Sequence, residues 1–377
     1  MGRTIKMAES PMEGHPDKLA DLIADALLDE FLRKDAYSRV SIEILLLSGM
    51  TFVAGHVSTE GYVDIPGVVR KTIKEIGYSR PDYGFDADTS AVITSIEEQS
   101  PEIVLGISSE GAGDTATVVG YACTDTPGYM PLPISLAHAL SKKVSELRKS
   151  GRAPFLRPDG KVLVTAVYEE QKPLFVKDII VFCQHDPDTS LEKLRDFIVE
   201  EAVKKVIPQS LIQKETRILV NPSGRFVLGG PAADAGQTGR KIVSDAYGDV
   251  AYSGGSAFSG KDPTKTDRTA SYMARMMAKH VVASGLADRC MVQMAYAFGM
   301  SEVIAFDIET YGTEKVEKER IRERLLEVFP TNPKSMITFL DLRKPIYKQT
   351  ACYGHFGKEE LPWEKLIKVE ELSELKQ

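Results

Sequence analysis

The chain has little of four things, and each lack removes a class of function. Cysteine is scarce: Cys123, Cys183, Cys290 and Cys352 lie far apart among 377 residues, with no Cys-x-x-Cys pair. That spacing excludes a zinc ribbon or a thioredoxin-like site and points to a reducing compartment. No apolar run approaches the roughly 18 residues that span a bilayer. The first residues also lack the apolar core of a secretion signal, so a soluble cytoplasmic protein without a membrane partner is expected. Positive charge is not in excess, because 47 Lys and Arg stand against 54 Asp and Glu for a net charge of −7. A nucleic-acid partner calls for a basic stripe, and here the bases are interspersed with acids. Nucleophile signatures are missing too: there is no Gly-x-Ser-x-Gly elbow or His-Glu-x-x-His helix, and the six histidines are scattered.

What is present is a long globular chain, 43% hydrophobic, able to bury a core without disulfides. Short apolar strands alternate with amphipathic helices. Strands are predicted at 40–48, 51–57, 91–96, 162–168, 177–184, 217–220, 291–296 and 304–309, and helices at 16–34, 65–76, 134–150, 190–206, 239–246, 268–284 and 316–328. The hairpin at 43–57 and the mixed order argue for an α+β fold. The methionine stripe Met273, Met276, Met277 reads as ordinary core. Two long Gly/Pro-rich stretches, 100–133 and 221–267, read as functional loops.

Four segments carry chemistry. In Glu13-Gly-His-Pro-Asp-Lys18, Pro16 opens a helix, His15 sits at its cap and Asp17 one residue inside. Free N–H groups there suit an anion, and Asp17 either complements the helix dipole or holds a divalent cation. Gly255 to Lys261 fits the first seven positions of a P-loop. Asp262 then replaces the hydroxyl that meets Mg²⁺, and no strand precedes, so a true P-loop is not expected. Lys261, Lys265 and Arg268 beside Asp262 and Asp267 instead suit a magnesium–polyphosphate complex. Between 221 and 241, Arg225, Arg240 and Lys241 add charge and Phe226 offers a face for a base. Asp114 follows two glycines in Gly111-Ala-Gly-Asp114, as a turn former or as a carboxylate for an amino group. Glu43 interrupts an apolar strand, where it is either buried with a cation or exposed on an edge.

Taken in order, these segments, with Gln99-Ser-Pro101, Gly229-Gly-Pro231 and Tyr353-Gly-His-Phe-Gly357, resemble the S-adenosylmethionine synthetases nearly end to end. The resemblance implies three βαββαβ units around a pseudo-threefold axis, made of 1–12 with 124–228, 13–101 with 229–268, and 102–123 with 269–377. It implies a homodimer with intersubunit active sites, often paired into a homotetramer. It also implies that ATP and methionine give S-adenosylmethionine, after which the bound triphosphate is cleaved to phosphate and pyrophosphate. His15, Lys161, Arg240, Lys261 and Lys265 would be catalytic. Asp159, Arg225, Phe226, Asp234, Lys241 and Ala257 would join His15, Lys161, Arg240 and Lys261 in binding ATP. His56, Gln99, Asp114, Asp234 and Lys265 would bind methionine. Asp17 and Asp267 would hold two Mg²⁺ ions and Glu43 a K⁺ ion.

Against the usual pattern of the family it resembles, the sequence carries His56 where Glu is usual and a shorter loop at 107–110. Ser256 also replaces a typical glycine. Two alternatives therefore stand beside methionine adenosylation: adenosyl transfer to a different thioether or thiol amino acid, and a non-catalytic nucleotide-binding subunit.

Overall fold

The computed structural model describes residues 2–98, 111–255 and 257–376. Helix α1 (Pro16–Lys34) starts where Pro16 fixes the first turn and His15 caps it. Leu19, Ile23, Leu27 and Phe31 lie inward, as their spacing predicts. Strands β2 (Arg39–Leu47) and β3 (Met50–Ser58) form a hairpin closed by Gly49 at a φ of 67°. Helix α2 (Ile65–Ile76) is capped by the Asp64 carboxylate and stopped by Gly77 at a φ of 108°.

Three sheets share one plan. The first has the order β1 (Thr4–Pro11), β6 (Leu156–Glu169), β7 (Lys172–His185), β8 (Ile212–Val220), with two antiparallel pairings and then a parallel one. The second runs β9 (Gly236–Gln237), β2, β3, β4 (Ala91–Glu97) with the same sequence of orientations. The third, β5 (Ala116–Cys123), β10 (Arg289–Tyr296), β11 (Ala305–Glu309), repeats the first two pairings. Helices α3 (Leu132–Lys149), α1 and α6 (Thr266–Ala283) cover the first two strands of the first, second and third sheets in turn. This is the α+β architecture expected, with mixed sheets.

One core lies between α3 and the first sheet; a second is common to α1, α6 and the other two sheets. The methionine stripe on α6 belongs to that second core. All four cysteines are buried and free, and no helix among the described residues is long and apolar enough to cross a membrane.

Some expectations need correction. Strand β1 lies outside every strand expected from the sequence. The helix expected at 190–206 is present from Leu191 to Val206, with one irregularity: α4 (Leu191–Ile198) passes through a π-turn at Val199–Val203 before a last α-turn at Lys204–Val206. The helix expected from Gly239 shrinks to α5 (Ile242–Asp245), because Gly239 takes a φ of 79° and Lys241 stands at the cap. Glu43 is neither buried nor on an edge. It is exposed on the open face of β2, between β3 and β9, without an ionic partner among the described residues.

Candidate active site

Helix α1 organises the site through four buried aspartates spaced four residues apart, Asp17, Asp21, Asp25 and Asp29, which share one face. Each accepts hydrogen bonds from the backbone of a segment distant in the chain. Asp17 takes the N–H of Gln237 at 3.0 Å, Asp21 that of Gly239 at 2.9 Å and Asp25 that of Gly260 at 2.9 Å. Asp29 takes the N–H groups of Tyr347 and Lys348 at 2.8 and 2.9 Å. The glycine-rich segments around Gly239 and Gly260 are thus docked on one rigid element. Reading the motifs alone misses this role, although the four-residue repeat of Asp is a signal that the sequence carries.

A first cluster of charge gathers at the start of α1. The Lys241 ammonium donates to Asp17 Oδ2 at 2.6 Å, and the Arg240 guanidinium lies 3.5 Å from Oδ1. Burial favours a protonated Asp17, but Lys241 and the Gln237 N–H outweigh it and hold the carboxyl below its ordinary range. His15 Nδ1 accepts the Asp17 N–H at 3.2 Å, which assigns the ring proton to Nε2. Burial, then the charges of Lys241 and Lys161, push the imidazole down to about 3, so it is neutral. Lys161 itself donates to Glu9 at 3.1 Å. Asp159 accepts the Gly230 N–H at 2.8 Å and is pushed up to about 6 by burial. Nearby, the Phe226 and His185 backbones pair, and Arg225 donates to the Pro187 carbonyl at 2.6 Å. Asp234 is exposed.

A second cluster opens α6. Lys261 donates to Asp267 at 2.6 Å, and its backbone bridges to Ser41 on β2. Burial raises the Asp267 carboxyl despite Lys261, with Asp114 adding to the shift. Lys265 behaves differently from its neighbours, since its buried ammonium is bound to Asp262 at 2.6 Å rather than open to a ligand. Ala257 sits against Gly239, where the two glycine loops touch. His56 lies on the exposed face of β3, opposite Ser41 on one side and Glu97 on the other. Gln99, Ser256 and the loop 107–110 lie outside the described residues.

The two clusters are anchored at Asp17 and Asp25, about 12 Å apart along α1 by helical rise. No group of three or more His, Cys, Asp or Glu side chains converges on one point among the described residues. A metal here must therefore take most of its oxygens from a ligand. Mg²⁺ commonly does so, with one or two carboxylates plus phosphates and water. Ionised Asp17, and Asp267 beside Asp114, fit that requirement.

Three family models match consecutive stretches of the chain: the S-adenosylmethionine synthetase N-terminal domain at residues 3–101, the central domain at 109–226 and the C-terminal domain at 228–365. The S-adenosylmethionine synthase of Aquifex aeolicus is 64% identical over 371 residues, 98% of this chain and 99% of that protein. That of Thermus thermophilus is 51% identical over 381 residues, 97% and 96% of the two chains. That of Clostridium tetani is 48% identical over 389 residues, 99% and 100%.

Proposed function

The chain belongs to the S-adenosylmethionine synthetase family, and on that premise we propose how its residues perform the reaction. It is a methionine adenosyltransferase: methionine sulfur attacks C5′ of ATP, the C5′–oxygen bond breaks, and triphosphate leaves. A thioether has no proton to lose, so no general base is needed. The demand falls on the leaving group, whose developing negative charge needs preorganised cations and donors. Neutral His15 supplies an Nε2–H for that purpose, and Lys241, Arg240 and Lys161 supply positive charge around it. The observation that carries this reading is geometric: Lys241 and Arg240 meet the Asp17 carboxylate while His15 accepts the Asp17 N–H, at the N-terminus of α1. Lys261 completes the catalytic set, and Lys265 would join it only by exchanging its bond to Asp262 for one to the substrate. Asp159, Arg225, Phe226, Asp234 and Ala257 bind the rest of ATP. His56, Gln99 and Asp114 bind methionine.

Mg²⁺ would be held by Asp17 and by Asp267 and would neutralise phosphate oxygens when bound. Glu43 would hold K⁺, which its lack of an ionic partner among the described residues supports. A homodimer would bring the second cluster of one chain over the first cluster of the other. Support comes from the open face of the second sheet, where Leu45, Leu47 and Ile93 are 38%, 39% and 40% exposed beside Glu43. The same reading divides the chain into the three discontinuous units, supported by each sheet drawing its strands only from the segments of one unit. It also places the protein in the cytoplasm.

Mass analysis of a reaction with ATP, methionine and Mg²⁺ tests this. S-adenosylmethionine with equal amounts of phosphate and pyrophosphate is expected, and chelation of the metal should stop it. Formation of ADP, or no adenosylated product, would reject the reading.

A further inference from the structure

Lys18 is the neighbour of Asp17 in sequence but points elsewhere, and it is 1% exposed. Its ammonium bridges two carboxylates, Asp21 at 2.8 Å and Asp245. Each of these holds one flank of Lys241. Asp21 accepts the N–H of Gly239, two residues before it, at 2.9 Å. Asp245, through its own N–H, reaches the Lys241 carbonyl at 2.8 Å, and its carbonyl in turn accepts the His355 N–H at 3.0 Å. The turn that aims Lys241 at Asp17 is therefore fastened to α1 on both sides through one buried cation. Remove that cation and Asp21 and Asp245 are two buried carboxyls that cannot both stay ionised, so one takes up a proton and the ionic bridge between the turn and α1 is lost.

We propose that Lys18 is a positioning residue for the polyphosphate half of the reaction, one that touches no substrate but fixes Lys241 opposite Asp17. This rests on the reading that Asp17 and Lys241 grip the triphosphate. A buried ammonium with two carboxylates is rarely the most stable filling for such a space, since apolar residues of similar volume usually do as well or better. What the ionic arrangement provides is a single geometry, because three donors on one nitrogen meet acceptors fixed on two different elements.

The test uses tripolyphosphate binding by calorimetry with Mg²⁺ present, together with steady-state kinetics. Three variants are needed: Lys18→Met, the charge-balanced pair Lys18→Met with Asp245→Asn, and Lys241→Met. The pair removes the cation with one of its anions, so that it folds even where the single variant does not. Lys18→Met or the pair is expected to weaken tripolyphosphate and raise KM for ATP by on the order of 10- to 100-fold, as loss of an orienting partner does, with KM for methionine unchanged. A folded pair variant that binds tripolyphosphate like the unmodified protein overturns the proposal. So does a loss that falls equally on ATP and methionine, which is what general loosening would give. If Lys241→Met itself leaves tripolyphosphate binding intact, it is the reading of the Asp17–Lys241 cluster that fails.

Discussion

Arg268 lies end-on against Asp25, with one terminal nitrogen 2.7 Å from Oδ1 and the other 2.8 Å from Oδ2, and both side chains are fully buried. The pair joins α6 to α1 beneath the two glycine loops. Its remaining donors are used as well, on Tyr272, the Lys261 carbonyl and Thr350. Arg268→Met leaves Asp25 as an uncompensated buried charge and should destabilise the protein by about 3–5 kcal/mol. Urea unfolding will measure it. A double variant that also removes the Asp25 charge should lose less than the sum of the two single losses.

The adjacent Lys261–Asp267 pair should respond differently. Its lysine side chain is 20% exposed and faces the site rather than the core. Lys261→Met should lower kcat by on the order of 100-fold, the scale for removing one preorganised stabilising group, and lower the urea midpoint less than Arg268→Met does, because the buried Asp267 it leaves is already raised toward its neutral form. Kinetics and unfolding on the same preparation separate the two effects.

Acid should loosen the fold partly through His138. Its Nδ1 pairs with the Ser10 hydroxyl at 2.8 Å, while Nε2 has no partner among the described residues. Burial, then the charges of Lys358 and Lys18, push the ring from 6.5 down to about 3. The unfolded chain therefore takes up this proton near pH 6.5 and the folded chain only near 3, so stability falls as pH falls between those values. His138→Asn should remove a slope of about 1.4 kcal/mol per pH unit between roughly pH 6 and pH 4. Unfolding curves across that range check it.

Gly120 on β5 lies directly under α6. A methyl group there would fall inside contact distance of the Ala274 carbonyl and the Arg275 nitrogen, both of them backbone. Neither can move without shifting the helix, so Gly120→Ala should cost about 1–3 kcal/mol or more. Thermal unfolding should show it, whereas Gly151→Ala, with no atom near its Cβ, will show only the strain of its φ of 76°.

Sequence and structure agree where local signals are strong. Pro16 opens α1 where the sequence places it, with His15 at the cap. Strand β1 is hard to read because its residues Lys6, Glu9 and Ser10 break the apolar pattern. It owes its pairing to β6, far along the chain, where Pro11 meets Lys161 and Thr4 meets Tyr168. The common plan of the three sheets is illegible for a different reason: it is a repetition of strand order, carried by unlike side chains. At the site, His15 and Asp17 can be placed from Pro16 alone. That Lys265 turns onto Asp262 cannot, because a basic loop residue reads the same whether it faces a ligand or a neighbouring carboxylate. The exposure of Glu43 is likewise open in the sequence, since a strand alternating in an apolar stretch does not say which face is covered.

The aspartates of α1 act as marks on a ruler. They recur every four residues on a helix that turns about 100° per residue. Inserting a single residue after Asp21 would therefore swing Asp25 and Asp29 a quarter-turn or more away from Gly260 and Tyr347, while leaving Gln237 and Gly239 docked. Length between Asp17 and Asp29 is thus fixed independently of composition, and drift in this stretch is confined to substitution.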